Sequence, residues 1–319
     1  MVALRTFGAA DLPALVRLWN RCVAGSPNFI ELTEADFIRR VVTAPGFEPA
    51  RLLVATEKHA LLGYVHYGPR LEMWEEGKPS FTREEGHIYA LVAPRENTAL
   101  ARALLEEGVA RLAEAGARRI LLYPSWVCGT QAMYNGVAGA YEMPGLSDTR
   151  GELMAVAEEA GFAPVAEYGT PELSLSEEAA WGARREARDR LWEQAREWGL
   201  RAQESALRPT FFAHRRAVTL VRGREIIAMT AYGPWEEYRR QYGRRLFGIT
   251  SVQVDRAWRG KGLGKLVMLV ALVAAREAGA EGVHLHVYRS NEVAWNLYHR
   301  ALGFQPTWRW VTLGRDLAG

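Results

Sequence analysis

The sequence is poor in cysteine, carries little excess charge and has no long hydrophobic run. Cys22 and Cys128 are its two cysteines, which excludes a disulfide framework and favours a reducing compartment. The longest aliphatic run, residues 266–275, is about half of what a membrane span needs. Residues 1–5, with Asp11 soon after, offer no apolar core of signal-peptide length. We therefore expect a cytoplasmic protein without a membrane segment.

Size and charge describe an ordinary globular protein of two domains. The chain has 319 residues, of which 49% are hydrophobic and 24% charged. At roughly 150 residues per domain, this length predicts two domains. The net charge is +3, from 40 basic and 37 acidic residues. So small an excess does not favour a nucleic-acid partner.

Three short matches recur in the same order and indicate a duplicated domain. Tyr67-Gly68-Pro69 recurs as Tyr232-Gly233-Pro234, about 165 positions later. The tetrapeptide Glu-Ala-Gly-Ala at 114–117 recurs at 277–280, and Gly-Phe at 161–162 recurs at 303–304. The shorter last spacing predicts about 21 extra residues in the first copy, within the stretch 126–147.

The hydrophobic pattern predicts strands and helices in the same order in both halves. In the second half we predict strands at 217–221, 225–232, 247–254, 283–288 and 307–313, with helices at 263–278 and 293–302. In the first half we predict strands at 51–55, 61–67, 87–92 and 119–123, with a helix at 98–115. Ser174 and Glu177 fit a capping box that opens a long helix to Trp198. The predicted domain boundary lies at Thr170-Pro171, which gives domains 1–170 and 171–319.

A basic, glycine-rich turn between a predicted strand and a predicted helix carries the clearest chemical signal. Glycines at 260, 262 and 264 let the backbone approach a ligand and adopt positive φ. The free amides at the start of the helix then face an anion, assisted by Arg259, Lys261 and Lys265. These features predict a phosphate or pyrophosphate site. The Gly-Lys-Ser/Thr ending of a Walker loop is missing.

Two motifs resemble those of the GNAT N-acetyltransferase superfamily. The segment 259–264 (RGKGLG) is similar to its Arg/Gln-x-x-Gly-x-Gly/Ala acetyl-CoA loop. Residues 291–298 (NEVAWNLY), followed by Leu302-Gly303-Phe304, are similar to its second signature, Asn-x-x-Ala-x-x-Leu-Tyr-x-x-x-Gly-Phe. The resemblance covers residues 217–313 well and the first half only through the repeat. Tandem GNAT proteins of this length exist, mycothiol synthases among them.

The resemblance implies a cofactor, a set of binding residues and one catalytic residue. Acetyl-CoA would be the co-substrate, and its pantetheine arm would lie along the strand segment of Val252, Gln253 and Val254. Tyr298 would be the general acid that protonates the departing thiolate, and a main-chain amide near Val252 would stabilise the oxyanion. The pyrophosphate would be held by Arg259, Gly260, Lys261, Gly262, Leu263 and Gly264, and Asn291 would contact the cofactor near its pantetheine and sulfur end.

The general base is not evident in the sequence. The strand 247–254 has no Glu, Asp or His, so Glu236, Glu237, His284 or His286 could act, through water if necessary. The two histidines could equally fill one face of a strand, and Tyr298 could be a packed helix residue. Arginines at 239, 240, 244 and 245 lie in a predicted loop, where they attract an anionic acceptor or are simply solvated.

The first half is predicted to lack the cofactor site. Residues 95–100 stand opposite the glycine turn without a glycine and with an added Glu96. Thr149 stands opposite Asn291, and Val156 opposite Tyr298. This half would be structural or would shape the acceptor pocket. Its extra segment could line such a pocket or pack as a surface loop, with Trp126, Cys128, Gln131, Tyr134, Asn135 and Tyr141 as its candidate residues.

These observations lead to a set of expectations. The predicted fold is α/β (α+β), with two tandem GNAT-like domains, each a mixed, mostly antiparallel sheet flanked by helices. The predicted function is transfer of an acetyl group from acetyl-CoA to a primary amine, small molecule or peptide, in the C-terminal domain, without a metal. A non-catalytic acyl-CoA-binding sensor or partner-binding protein is the alternative, and a tRNA-dependent aminoacyl transferase is disfavoured by the charge. We expect a monomer or homodimer.

Overall fold

The computed structural model describes residues 2–44, 46–75, 78–124, 133–134, 141, 145–207 and 215–317. The chain divides into two compact units. Unit 1 comprises Met1–Tyr168 together with Trp308–Gly319, and unit 2 comprises Gly169–Thr307. The prediction of domains 1–170 and 171–319 assigned residues 308–319 to the second domain, whereas the structure groups them with the first. Within the described residues, none of the helices is long and apolar enough to span a membrane.

Unit 1 is built on a mixed sheet in the order β1-β2-β3-β4-β5-β14, with β6 beside β14. The β4–β5 pair is parallel, and the other pairs given for this sheet are antiparallel. Helices α1 and α3 are its longest. The bounds are β1 Ala3–Thr6, α1 Leu12–Val23, α2 Glu34–Phe37, β2 Leu52–Glu57, β3 Ala60–Glu75, β4 Lys78–Val92, α3 Thr98–Glu114, β5 Arg119–Leu122, β6 Leu146–Ser147, α4 Gly151–Glu159 and, from the C-terminal part of the chain, β14 Gln305–Asp316.

Unit 2 repeats this arrangement in the order β7-β12-β11-β10-β9-β8, with β13 beside β7. Here β11 and β12 are parallel, whereas β8 to β11 are joined antiparallel. The bounds are β7 Ala163–Ser174, α5 Glu178–Glu197, β8 Arg201–Ala206, β9 Arg216–Arg222, β10 Glu225–Pro234, α6 Glu236–Tyr242, β11 Leu246–Val254, α7 Leu263–Glu277, β12 Gly282–His284, β13 Val287–Tyr288 and α8 Glu292–Asn296. The predicted fold class, mixed and mostly antiparallel sheets flanked by helices, is confirmed.

Helix α7 forms the centre of the unit 2 core. Leu266, Val267, Ala271 and Leu272 are fully buried along it and pack with the inward side chains of the sheet. The helix ends at Glu277, and Gly279 takes a φ of 89°, the left-handed conformation that commonly terminates helices. Most side chains of α7 are apolar and buried, so the helix packs firmly on the sheet. This packing holds the first turn of α7 beside the end of β11.

Three local predictions differ from the structure. The capping box at Ser174 is wrong because Ser174 still pairs with Gly282 in the sheet, and α5 starts at Glu178. The strand predicted at 283–288 is interrupted between β12 and β13. The helix predicted at 293–302 is the short α8 followed by a wide π turn, Leu297–Ala301.

Candidate active site

The site begins where β11 and β12 separate. The two strands pair over three positions only, from Leu246 with Gly282 to Gly248 with His284. Beyond Gly248, the pairs given for β11 are with β10 alone, along its other edge. Residues 249–254 therefore present N–H and C=O groups on one side that a strand-like ligand could bind.

A bulge distorts β11 in this region. The register with β10 shifts between Met229, opposite Gln253, and Ala231, opposite Thr250. Ser251, in the bulge, has a φ of 58°, which is unfavourable for a residue with a side chain. Strained backbone of this kind clusters at functional sites, because the surrounding structure must hold it in place.

A cleft of about 940 Å³ opens along this edge of β11. Its walls come from β10, β11, the glycine turn and α8, all within unit 2. Ten of the eleven predicted site residues line it: Val252, Gln253, Val254, Arg259, Gly260, Gly262, Leu263, Gly264, Asn291 and Tyr298. The two motifs, distant in sequence, thus face one cavity of a size typical of small-molecule sites.

The glycine turn has the backbone conformation that its composition suggests. Gly260 and Gly262 have φ of 78° and 76°, whereas Gly264 lies within α7 and is not in the left-handed region. Gly262 is the N-cap of α7 and, as a glycine, has no side chain with which to cap the first turn. The first amides of α7 are therefore available to an anion, and the helix dipole favours negative charge there.

The cations of the turn have different surroundings. Arg259 Nε donates to the Val254 carbonyl oxygen at 3.2 Å, which ties the turn to the end of β11. Lys261 is the predicted binding residue that does not line the cleft: its ammonium lies 4.6 Å from the Trp258 ring centroid and 5.4 Å from that of Trp198. The carboxylate of Asp255 accepts from the Ala257 N–H at 2.9 Å. The charged residues that line the cleft are thus two arginines, Arg256 and Arg259, and one carboxylate, Asp255.

Sequence reasoning missed the two indoles that hold Lys261. Trp258 lines the cleft and lies within the segment already singled out, so an aromatic residue three positions before a lysine was a signal that could have been used. Trp198 follows α5 in sequence, and nothing near it in the sequence points to the turn. Cation–π contacts of this kind contribute about 0.5–1 kcal/mol at exposed sites.

The second motif places a helix cap and a buried phenol on the opposite wall. Asn291 caps α8, since its Oδ1 accepts from the Ala294 N–H at 3.1 Å. Tyr298 lies in the π turn with 5% of its surface exposed, next to Phe304. Burial raises the pKa of the Tyr298 phenol above its ordinary value. Tyr298 is therefore a protonated donor at neutral pH.

The candidate bases fall into different environments. Glu236, whose side chain is 45% exposed, accepts from Arg239 Nε at 2.9 Å on α6, while Glu237 is buried in the same helix. His284 and His286 lie behind the point where β11 and β12 separate, with ring centroids 5.1 Å apart. The loop predicted for the arginines is wrong at 239 and 240, which α6 carries.

Unit 1 has counterparts of the turn and of the β11 edge, and both are filled by its own side chains. Asn97 is the N-cap of α3, and its Oδ1 accepts from the Leu100 N–H at 3.1 Å. By strand register, Leu91 in β4 corresponds to Val252 in β11. The Tyr123 hydroxyl donates to the Leu91 carbonyl at 2.7 Å and accepts from its N–H at 3.0 Å.

The predicted extra segment of unit 1 is described only in part. Trp126, Cys128, Gln131 and Asn135 lie outside the described residues. Tyr134 and Tyr141 are buried, and Tyr134 stacks on Trp19 with ring centroids 5.3 Å apart. Tyr134 thus packs in the interior of unit 1. In the described part of the chain, no group of three or more His, Cys, Asp or Glu could hold a metal ion.

Comparison with known proteins identifies the class. Residues 177–304 match the acetyltransferase (GNAT) family, so this part of the chain is a GNAT domain. No curated protein matches the sequence.

Solved structures extend the likeness to the whole chain. A GCN5-related N-acetyltransferase from Sphaerobacter thermophilus is 14% identical, with a TM-score of 0.62 over 100% of this chain and 96% of its own. A tandem GNAT protein from the clavulanic acid biosynthesis pathway is 16% identical, with a TM-score of 0.62 over 100% and 99%. A glucosamine N-acetyltransferase region of a fungal multi-domain enzyme is 13% identical, with a TM-score of 0.68, and the chain spans 38% of that protein. At these identities the likeness shows the fold alone, which is that of tandem GNAT proteins. The family match over residues 177–304 supports acyl transfer in general.

Proposed function

We propose that the protein transfers an acetyl group from acetyl-CoA to a primary amine by direct attack, at one site in unit 2. The observation that carries the proposal is the single cleft that joins the free edge of β11, the uncapped first turn of α7 and the buried Tyr298. Acetyl-CoA supplies the acetyl group in activated form, as a thioester.

The residues present fit such a co-substrate at both ends. On the edge of β11 that β12 leaves, the backbone groups of Val252 and the N–H of Val254 suit the amides of a pantetheine arm, which would add to the sheet as a strand does. The uncapped amides from Gly262 onward and the guanidinium of Arg259 suit a pyrophosphate. Asn291 stands on the facing wall.

Two groups then act on the reacting atoms. A main-chain N–H near Val252 would donate to the oxygen of the carbonyl under attack, where negative charge develops, a contribution of about 10²–10³-fold when one such donor is removed. Tyr298 would donate its proton to the leaving sulfur. The raised pKa of this phenol keeps it protonated until the thiolate forms.

The test is an acceptor screen with acetyl-CoA, in which free-thiol release is followed for small amines, aminoglycosides, peptides with free N-termini and peptides with lysine side chains. We expect free-thiol release above the acceptor-free rate with one class of acceptor. At a limiting acetyl-CoA concentration, a Gly262→Ala variant should show a smaller gain, because its binding of acetyl-CoA is weakened. Binding of acetyl-CoA without transfer of the acetyl group to any class of acceptor would contradict the proposed catalysis. It would support the alternative of a non-catalytic acyl-CoA-binding sensor.

A further inference from the structure

The proton acceptor for the attacking amine is the missing part of the site, and the inference here rests on the proposed function. An amine is protonated in neutral water and must lose a proton to attack a carbonyl. The β11 strand holds no acidic or histidine side chain. The acceptor must then come from a neighbouring element at the closed end of the gap, where β11 and β12 separate.

Strand register puts a histidine at this point. Gly248 pairs with His284, and this is the last pair before the strands separate. Phe247 and Val283 lie in the core under α7, so alternation places Gly248 and His284 on the opposite face of the sheet. His284 therefore flanks β11 at a position without a side chain.

A carboxylate stands on the other side of His284. Glu172 of β7 pairs with His284 in register, and its Oε1 lies 3.8 Å from His284 Nδ1. His284 is fully buried, whereas the Glu172 side chain is 32% exposed. A proton accepted by the imidazole is thus stabilised by an adjacent negative charge that itself reaches solvent.

Aromatic rings connect the surface of unit 2 to the same histidine. Tyr242 is 44% exposed, and its ring centroid lies 4.6 Å from that of Tyr238. Tyr238 lies 4.9 Å from Trp235, and Trp235 lies 4.8 Å from His284. These rings form an apolar wall beside the imidazole. Such a wall suits the apolar part of an amine acceptor and can make cation–π contact with its ammonium group.

The other candidates are less suited to the role. The Glu236 carboxylate is already bound by Arg239 on the exposed side of α6. His286 Nδ1 lies 2.9 Å from Thr170 Oγ1. Burial, and next the charge of His284, hold the pKa of His286 well below its ordinary value. His286 would therefore take up a proton poorly.

We infer that His284 is the proton acceptor of the acyl transfer and that Glu172 is the residue that positions it and stabilises its charge. The amine nitrogen forms a bond to the thioester carbonyl carbon and gives its proton to the His284 imidazole. The carbon–sulfur bond breaks, and the electron pair leaves with the sulfur, which takes the proton of Tyr298. The imidazolium then releases its proton to solvent on the Glu172 side, and the Tyr298 phenolate takes up a proton from water, which restores both groups.

The test uses the full chain with saturating acetyl-CoA and two nucleophiles, water and hydroxylamine, with free-thiol release as the readout. Water needs a base to attack, whereas hydroxylamine is already unprotonated at neutral pH. We expect His284→Gln to slow hydrolysis by about 10²-fold and to affect hydroxylamine much less. Glu193→Gln, which changes an exposed carboxylate on α5 outside the cleft, is the control and should leave both rates unchanged. An equal fall with both nucleophiles, or no fall, would overturn the inference.

A second variant avoids the risk that a buried substitution misfolds. Glu172→Gln is isosteric and partly exposed, and it removes the charge beside the imidazolium. The rate of hydrolysis should fall less than in His284→Gln, with hydroxylamine again affected much less, because the charge beside the imidazolium is lost. Glu172→Asp keeps that charge and should recover part of the lost rate. Equal losses in Glu172→Gln and Glu172→Asp, or a wild-type rate in Glu172→Gln, would count against Glu172 as the positioning residue.

Calorimetry with acetyl-CoA separates this inference from the proposed function. If acetyl-CoA does not bind, the proposed function fails first. If acetyl-CoA binds equally well to the wild type and to the variants, and the hydrolysis rate is unchanged in His284→Gln, only the inference fails. Hydrolysis by the wild type no faster than in buffer would also overturn it, since a base beside the acyl carbon must activate water.

Discussion

Tyr298 is the residue on which the mechanism can be tested most directly. Its ring packs beside Phe304 in the π turn, and its pKa is raised by burial. Replacement by phenylalanine keeps the packed ring and removes only the proton donor.

We expect Tyr298→Phe to lower turnover by about 10²-fold, the lower end of the usual range, because a CoA thiolate is a fairly good leaving group. Acetyl-CoA affinity should stay within twofold or so of the wild type, since no binding group is lost. Steady-state rates and calorimetry give the two values, and Tyr288→Phe, a tyrosine outside the cleft, serves as control. Unchanged turnover would leave water as the proton donor, whereas lost affinity would make Tyr298 a structural residue.

His66 gives unit 1 a predictable response to acid. It is fully buried, and burial, with a smaller effect of Arg51, lowers its pKa to about 3 from an ordinary 6.5. Between these values the unfolded chain holds one more proton than the folded one, so stability falls as the pH falls through this window. The loss is about 1.4 kcal/mol per pH unit from this residue alone.

Urea unfolding followed at neutral pH and at about pH 5 measures this loss, which amounts to about 2 kcal/mol at the lower value. In His66→Gln the difference between the two conditions should shrink by that amount. An identical pH dependence in both proteins would show that His66 is protonated without cost in the folded state.

At the scale of elements, the backbone explains which glycines of the turn are required. Gly262 has a φ of 76°, and a Cβ there would lie 3.1 Å from Leu191 Cδ2. Gly264 has ordinary helical geometry, and its Cβ would meet Leu297 and Val254 at 3.6 Å, a normal contact distance. Position 262 thus favours glycine alone, whereas position 264 also accepts alanine. The GNAT motif Arg/Gln-x-x-Gly-x-Gly/Ala allows the same residues at these two positions.

We therefore expect Gly262→Ala to weaken acetyl-CoA binding by about tenfold or more, since a left-handed conformation costs a residue with a side chain roughly 1–2 kcal/mol. Gly264→Ala is the matched control and should bind nearly as well as the wild type. Calorimetry measures both. Equal losses would mean that the cleft lacks room for any methyl group and that backbone conformation is not the reason.

The helices and strands differ in how well the sequence predicted them. Periodicity predicted α7 to within one residue, because its apolar pattern and flanking glycines agree with its packing. It could not predict the break between β12 and β13, where His286 bonds to Thr170, a residue 116 positions away. Nor could it predict the bulge at Ser251, which depends on the register with β10.

The candidate site followed the same pattern. Glycine spacing and the Asn-to-Tyr motif brought together ten residues that line one cleft. The neighbours of Lys261 and the pairing of Glu172 with His284 arise from long-range packing, which has no local signature in the sequence.

At the scale of the whole molecule, the two units differ in what occupies the edge of the central strand. In unit 1 the Tyr123 hydroxyl satisfies both backbone groups of Leu91, and Asn97 caps the helix that follows. An incoming pantetheine arm would have to break these hydrogen bonds. In the described part of unit 2, Gly262 offers no side-chain cap to α7, and the strand pairs given for β11 beyond Gly248 are with β10 alone, on the opposite edge.

We therefore expect one acetyl-CoA per chain. Isothermal titration calorimetry of the full chain gives the stoichiometry, and Gly262→Ala should abolish or weaken that single event. Two equivalent sites would contradict the assignment of unit 1 as a domain without a co-substrate.

The return of residues 308–316 to the sheet of unit 1 has a consequence for biosynthesis. Leu313 pairs with Leu122 and Asp316 with Arg119, so β5 obtains its antiparallel neighbour from the far end of the chain. Because a ribosome synthesises the chain from its N-terminus, one edge of β5 stays unpaired until all of unit 2 has been made. Unit 2 can be complete first. Nascent chains stalled before residue 308 should bind chaperones through unit 1, although it is the half made earlier.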